Sequence, residues 1–136
     1  MRAVGIDLGE KRIGVAVSDS DGKIATPYEV LTRSGSREQD HRHIAAIVAD
    51  VEAEILIVGL PLSLDGSVGK AAQGARGEAQ LIESLLSIPV EMHDERFTTV
   101  EAERVLQEQN LDAPSRRKVV DKVAAAILLQ AWLDCQ

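Results

Sequence analysis

Cysteine is almost missing from this chain. The one present, Cys135, has no internal partner, so a disulfide framework is excluded and a reducing, cytoplasmic setting is the natural expectation. Aromatic residues are nearly as rare, with one Phe, one Trp and one Tyr, so the core has to be aliphatic: Val, Ile, Leu and Ala. No apolar run approaches the length of a membrane span, and the opening residues lack the apolar segment of a signal peptide, so no membrane partner is expected. Internal repeats and low-complexity stretches are also lacking. Basic residues are in deficit, 15 against 22 acidic ones, for a net charge of −7. That balance argues against coating nucleic acid by bulk electrostatics. What remains is a 136-residue chain, 45% hydrophobic and 27% charged, which reads as a single domain over 1–136 with a proper core.

The charge is unevenly spread. Glu38 to Glu54 sums to −4 and Pro114 to Lys122 to +3, so a local basic patch beside an acidic site is compatible with an acidic molecule.

The chain is organised around its opening, AVGIDLGEKRIGVAVSD, residues 3–19. Two runs rich in β-branched residues flank Gly9-Glu10-Lys11-Arg12, a hairpin signal. Val4, Ile6 and Leu8 alternate with Gly5, Asp7 and Gly9; Ile13, Val15 and Val17 alternate with Gly14, Ala16 and Ser18. Side chains alternate across a strand, so each strand has one bulky and one nearly bare face, and Asp7 stands on the bare one. A strand-borne carboxylate is costly to desolvate unless compensated. The neighbouring glycines clear room for a metal ion, a phosphate or another backbone to approach. The structural alternative is a buried acid satisfied by backbone donors at a strand end.

Asp19 to Gly22 reads as a turn into a third strand, about Lys23 to Leu31, which Pro27 marks as an edge strand. A helix is expected from about Glu38 to Glu52, burying Ile44, Ile47, Val48 and Val51. His41 and His43 lie on it, and without further ligands nearby they read as a solvated face. EILIVGL, residues 54–60, is a strand buried on both faces. The loop after it fails the P-loop pattern, with Leu64 and Ala71 where glycine and a hydroxyl residue are required. A second helix should span about Lys70 to Leu86, burying Ala75, Ala79, Ile82 and Leu86. A last strand, Pro89 to His93, delivers Asp94, Glu95 and Arg96. Thr98 and Glu101 form a capping box for a short helix to about Gln109. The final helix starts near Ser115, with Val120, Val123, Ala124, Ile127, Leu128 and Ala131 as its buried stripe. The order βββαβαβαα describes an α/β domain with a mixed sheet.

Acids thus occur at three distant places: Asp7, the Asp94-Glu95 pair, and Asp121. Groups at strand carboxyl ends gather in open α/β sheets, and the last helix could bring Asp121 across. Clustered carboxylates repel, and a hard divalent cation is the usual remedy. One or two such ions can activate water and clamp a phosphodiester. Lys11, Arg12, Arg96 and the run Arg116-Arg117-Lys118 are placed to hold flanking phosphates. Each group also has a structural reading: Asp94 or Glu95 pairing Arg96, Asp121 pairing Arg117 or Lys118, and the basic run as a solvated helix start.

Four segments, GIDLGEKRIGVAVSD, IVGLPLSLDG, HDERFTTVEA and VDKVAAAILLQAWLD, in this order and over essentially the whole chain, resemble the YqgF family, also called RuvX, of the ribonuclease H-like superfamily. The resemblance implies a five-stranded mixed sheet in order 3-2-1-4-5 with Asp7 at its centre. It implies a nuclease dependent on Mg²⁺ or Mn²⁺, of two-metal type, with Asp7, Glu95 and Asp121 as its catalytic acids and Asp94 as a further candidate ligand. It implies nucleic acid as partner, with structured RNA in a ribosome precursor (5′-end processing of pre-16S rRNA) ahead of branched DNA, and a monomer or homodimer. The strand before the loop ends in Gly59, without the acid that related resolvases carry there, which puts more weight on the Asp94-Glu95 position. A resolvase of four-way DNA junctions and a non-catalytic module of ribosome assembly are the rival readings.

Overall fold

The computed structural model describes residues 1–63, 65–96 and 113–136, the last stretch as backbone alone up to residue 120. Five strands form one sheet in the order β3-β2-β1-β4-β5. The strands are β1 (Ala3–Leu8), β2 (Arg12–Ser18), β3 (Ala25–Thr32), β4 (Ile55–Leu60) and β5 (Val90–Asp94), and the helices are α1 (Arg37–Asp50), α2 (Lys70–Glu83) and α3 (Ala113–Asp134). The hairpin β1–β2 and its extension to β3 are antiparallel; β4 joins β1 in parallel and β5 joins β4 in parallel. β3 is an edge strand, as Pro27 requires. The β2–β3 register slips between Val15 and Ala16, where Pro27 pairs with Ala16.

Alternation sorts the sheet into two unlike faces. Val4, Ile6, Ile13, Val15, Leu56 and Val58 pack with Ile44, Ile47, Val48, Ala79 and Ile82 of α1 and α2. The other face contributes the smaller Ala3 and Ala16 together with Ile55 and Ile57, against Ala125, Leu129, Trp132 and Leu133 of α3. Burial of such side chains is worth about 1.5–3 kcal/mol each, which makes the thicker first core the larger source of cohesion.

Three expectations change in detail. The buried residues of α3 are Ala124, Ala125, Leu128, Leu129, Trp132 and Leu133, so the helix is turned about one residue from the expected stripe, with Val123, Ile127 and Ala131 only half-buried. α2 stops at Glu83, leaving Leu86 partly buried in the following turn. His41 does not lie on a solvated face: it is buried, with Nε2 2.7 Å from Glu78 Oε2. The expected capping box at Thr98 and its short helix lie outside the described residues. Among the described residues no helix is long and apolar enough to cross a membrane.

Candidate active site

The bare face of β1 and β2 is where the late acids arrive. Asp7, next to last in β1, pairs across the sheet with Gly14 of β2. A Cβ at Gly14 would stand 2.0 Å from the backbone oxygen of Asp121, and one at Gly5 would stand 2.8 Å from Leu129 Cβ. These glycines therefore let another backbone approach, that of α3, which lays Asp121 beside Asp7. The carboxylate of Asp121 accepts a 2.5 Å hydrogen bond from Arg12 Nε, on the same face of β2 two residues before Gly14.

Glu95 follows directly on β5, its N–H donating to the Leu60 carbonyl at 3.2 Å. Its carboxyl reaches back over β4 at Gly59, where a Cβ would fall 2.1 Å from Glu95 Oε2. There it hydrogen-bonds Asp7. The empty position at 59 is thus filled by an acid from the neighbouring strand. Burial, the Asp7 charge and the hydrogen bond to Asp7 push Glu95 from its ordinary 4.5 up to about 9. Burial also raises Asp7, and repulsion from Asp121 adds to it, although the hydrogen bond from Glu95 pulls the other way. Both shifts favour keeping a proton on this pair, and the directions of the hydrogen-bond contributions make Glu95 the donor and Asp7 the acceptor.

Asp94 turns elsewhere. Its two oxygens accept from Arg96, from N–H at 2.9 Å and from Nε at 2.8 Å. Burial pulls it upward, but those bonds and the guanidinium charge outweigh burial and hold it below the usual carboxylate range. Arg96 also reaches the loop after β4, with one guanidinium nitrogen 3.4 Å from where a Gly66 Cβ would be. Lys11 is exposed on the β1–β2 turn. Arg116, Arg117 and Lys118 fall in the first turns of α3, and their side chains lie outside the described residues.

The donor set at the site is all carboxylate oxygen, the chemistry that suits Mg²⁺ or Mn²⁺. Two of the acids touch across a shared proton and the third is held beside them by a guanidinium. The guanidinium is a positive charge standing where crowded carboxylates need one. Among the described residues no three His, Cys, Asp or Glu side chains are drawn together as a ready-made metal cage.

Sequence reasoning missed a second cluster, Arg33, His41 and Glu78. Arg33 donates to both oxygens of Glu78 at 2.7 and 3.0 Å, and its Nε donates to the Gly9 carbonyl at 2.8 Å. The visible signal was Glu78 itself, an acid in the buried phase of α2 between Ala75, Ala79 and Ile82.

A mixed sheet in this order, with an acid on its central strand and helices on both faces, is the ribonuclease H-like fold. Thermus thermophilus RuvC has it too, superposing with a TM-score of 0.59 over 98% of this chain and 97% of its own, at 16% identity. Residues 1–135 match the RuvX family, described as Holliday junction resolvase, and the chain belongs to that family. A relative in Pelotomaculum thermopropionicum, named "Putative pre-16S rRNA nuclease", is 43% identical over 136 residues, covering all of this chain and 88% of that protein. One of the same name in Rhodococcus opacus is 49% identical over 137 residues, covering 98% and 77%.

Proposed function

We propose that this protein is a metal-dependent nuclease that hydrolyses phosphodiester bonds in the 5′ region of precursor 16S rRNA. The observation that carries this reading is the proton-sharing contact of Asp7 with Glu95 over Gly59, with Asp121 beside it. Acids forced together in this way, instead of being separated or paired with lysine, mark a place where a cation or a proton is exchanged. Its full-length relatives named for pre-16S rRNA support the substrate.

Asp7, Glu95 and Asp121 would hold Mg²⁺ or Mn²⁺, one ion or two, in place of the shared proton and of the Arg12 contact. When bound, the metal supplies Lewis acidity for the attacking water and charge neutralisation at the scissile phosphate. Glu95 would ligate as the carboxylate, its proton released to solvent. Arg12, once its hold on Asp121 is exchanged, is within the site and can bind a phosphate oxygen. Asp94 fixes the direction of Arg96 and so acts as a positioning residue, while Lys11 and the basic run Arg116 to Lys118 meet the flanking backbone.

The family description as a resolvase favours a second reading, in which the same acids cut branched DNA. Cleavage assays with matched structured RNA and four-way DNA, each with Mn²⁺ and with EDTA, separate the two. Metal-dependent cutting of the RNA is expected; cutting of the DNA junction alone transfers the assignment to the second reading, and no cutting of either removes both.

A further inference from the structure

On the other face of the sheet from Asp7, at the same end of β1, a cleft of about 910 Å³ opens between the β1–β2 turn, the start of α1 and α2. That volume lies toward the upper end of the ~300–1,000 Å³ typical of ligand sites. Lys11, Arg33, Arg37 and Gly74 are on its walls. Arg33 forms its frame, tied to Glu78 and to the Gly9 carbonyl, and the Arg33 N–H donates to the Lys11 carbonyl at 2.9 Å.

The acids on the walls are mostly occupied. Glu78 is engaged by Arg33 and His41, and Asp40 accepts from the Ser34 N–H at 3.0 Å. Exposed Lys11 and Arg37 therefore face the opening against exposed Glu10 alone among the lining acids. Gly74 is the second observation. A glycine inside a helix costs about 1 kcal/mol relative to alanine. Yet among the described residues nothing outside the helix's own backbone lies within 4 Å of the place its Cβ would take, as is also true of Gly77 three residues on. Packing among the described residues does not call for this glycine, and without a side chain there the cleft stays open along α2.

We propose that this cleft is a second nucleic-acid subsite, holding the phosphate backbone of a single-stranded stretch of the strand that the acid site cuts. The proposal rests on the nuclease reading above. The β1–β2 turn is the ridge between the two places: Asp7 and Arg12 face α3, whereas Gly9 and Lys11 face the cleft. A strand crossing that ridge meets Lys11 first and Arg37 and Gly74 beyond it.

The test uses the full chain carrying Asp7→Asn, so that binding is read without cutting. Fluorescence anisotropy gives Kd for a duplex RNA with a single-stranded extension and for the same duplex trimmed flush. The extended RNA should bind more tightly. Gly74→Leu, which fills the cleft while gaining helix propensity, and Arg37→Glu should each collapse the ratio of the two Kd values by roughly tenfold, with a shallower salt dependence for the extended RNA. A melting temperature for Gly74→Leu at or above that of its parent keeps misfolding out of the result. An unchanged ratio, or an equal loss on both RNAs, overturns the subsite and leaves the nuclease reading standing. Failure of the Asp7→Asn parent to bind either RNA removes the nuclease reading, and the subsite with it.

Discussion

Glu78 is buried and Glu95 is partly buried, and the molecule treats them oppositely. Burial would raise Glu78, but the hydrogen bonds and charges of Arg33 and His41 outweigh it and hold the group below its ordinary value. Glu95 meets burial with another carboxylate beside it and is pushed up to about 9. One acid is compensated within the fold and ties α2 to α1 and to the β1–β2 turn. The other is set against a second acid, Asp7. A buried acid by itself therefore says little about function; the sign of its neighbours separates a structural strut from a reactive site.

The sharpest way to break this contrast is to remove one acid from each cluster. Asp7→Asn should reduce cleavage to background while leaving the melting temperature at or above that of the parent, because it relieves repulsion. Retained cleavage by Asp7→Asn would end the assignment of the site. Glu78→Ala should do the reverse, costing about 3 kcal/mol of stability by leaving Arg33 and His41 without their counter-charge, as urea titration would measure. Next in size is Gly59→Ala. Its Cβ meets the far end of the Glu95 side chain, so stability should move by less than about 1 kcal/mol, while Mn²⁺ affinity by calorimetry drops roughly tenfold as Glu95 is displaced.

The smallest effect is in the pH dependence, and its sign differs between the clusters. Glu95 keeps in the fold a proton that the unfolded chain releases near 4.5, so its contribution is full below 4.5 and lost as pH rises toward about 9. Glu78, held low, contributes above 4.5, and that contribution is lost as pH falls through its folded value. Melting temperature against pH, in metal-free buffer, should therefore lose its alkaline decline in Glu95→Gln and its acid decline in Glu78→Gln. Identical profiles for the two variants would erase the distinction.

Much of this architecture was legible from residue order. Strict alternation about Asp7 marked the bare face, Pro27 marked the edge, and the continuous run 54–60 marked a parallel strand buried on both faces. The rotation of α3 was not, because VAAAILLQAW offers apolar residues at every phase and periodicity cannot choose among them. Contact with Gly5 and Gly14 decides it, and that is a property of the sheet. Asp94 and Glu95 were likewise indistinguishable by alternation alone. The register of Leu60 with Asp94, and the missing side chain at 59, send Glu95 to Asp7 and Asp94 to Arg96. The Glu78 cluster was hidden because its partners lie 45 and 37 residues away.

The Arg12–Asp121 contact spans 109 residues. A ribosome part-way through making this protein has already released Asp7 and Arg12 but still lacks the helix that completes their surroundings. Closure of so distant a contact comes late in folding. The surroundings of Asp7 are therefore completed only once nearly the whole chain, through α3, is available.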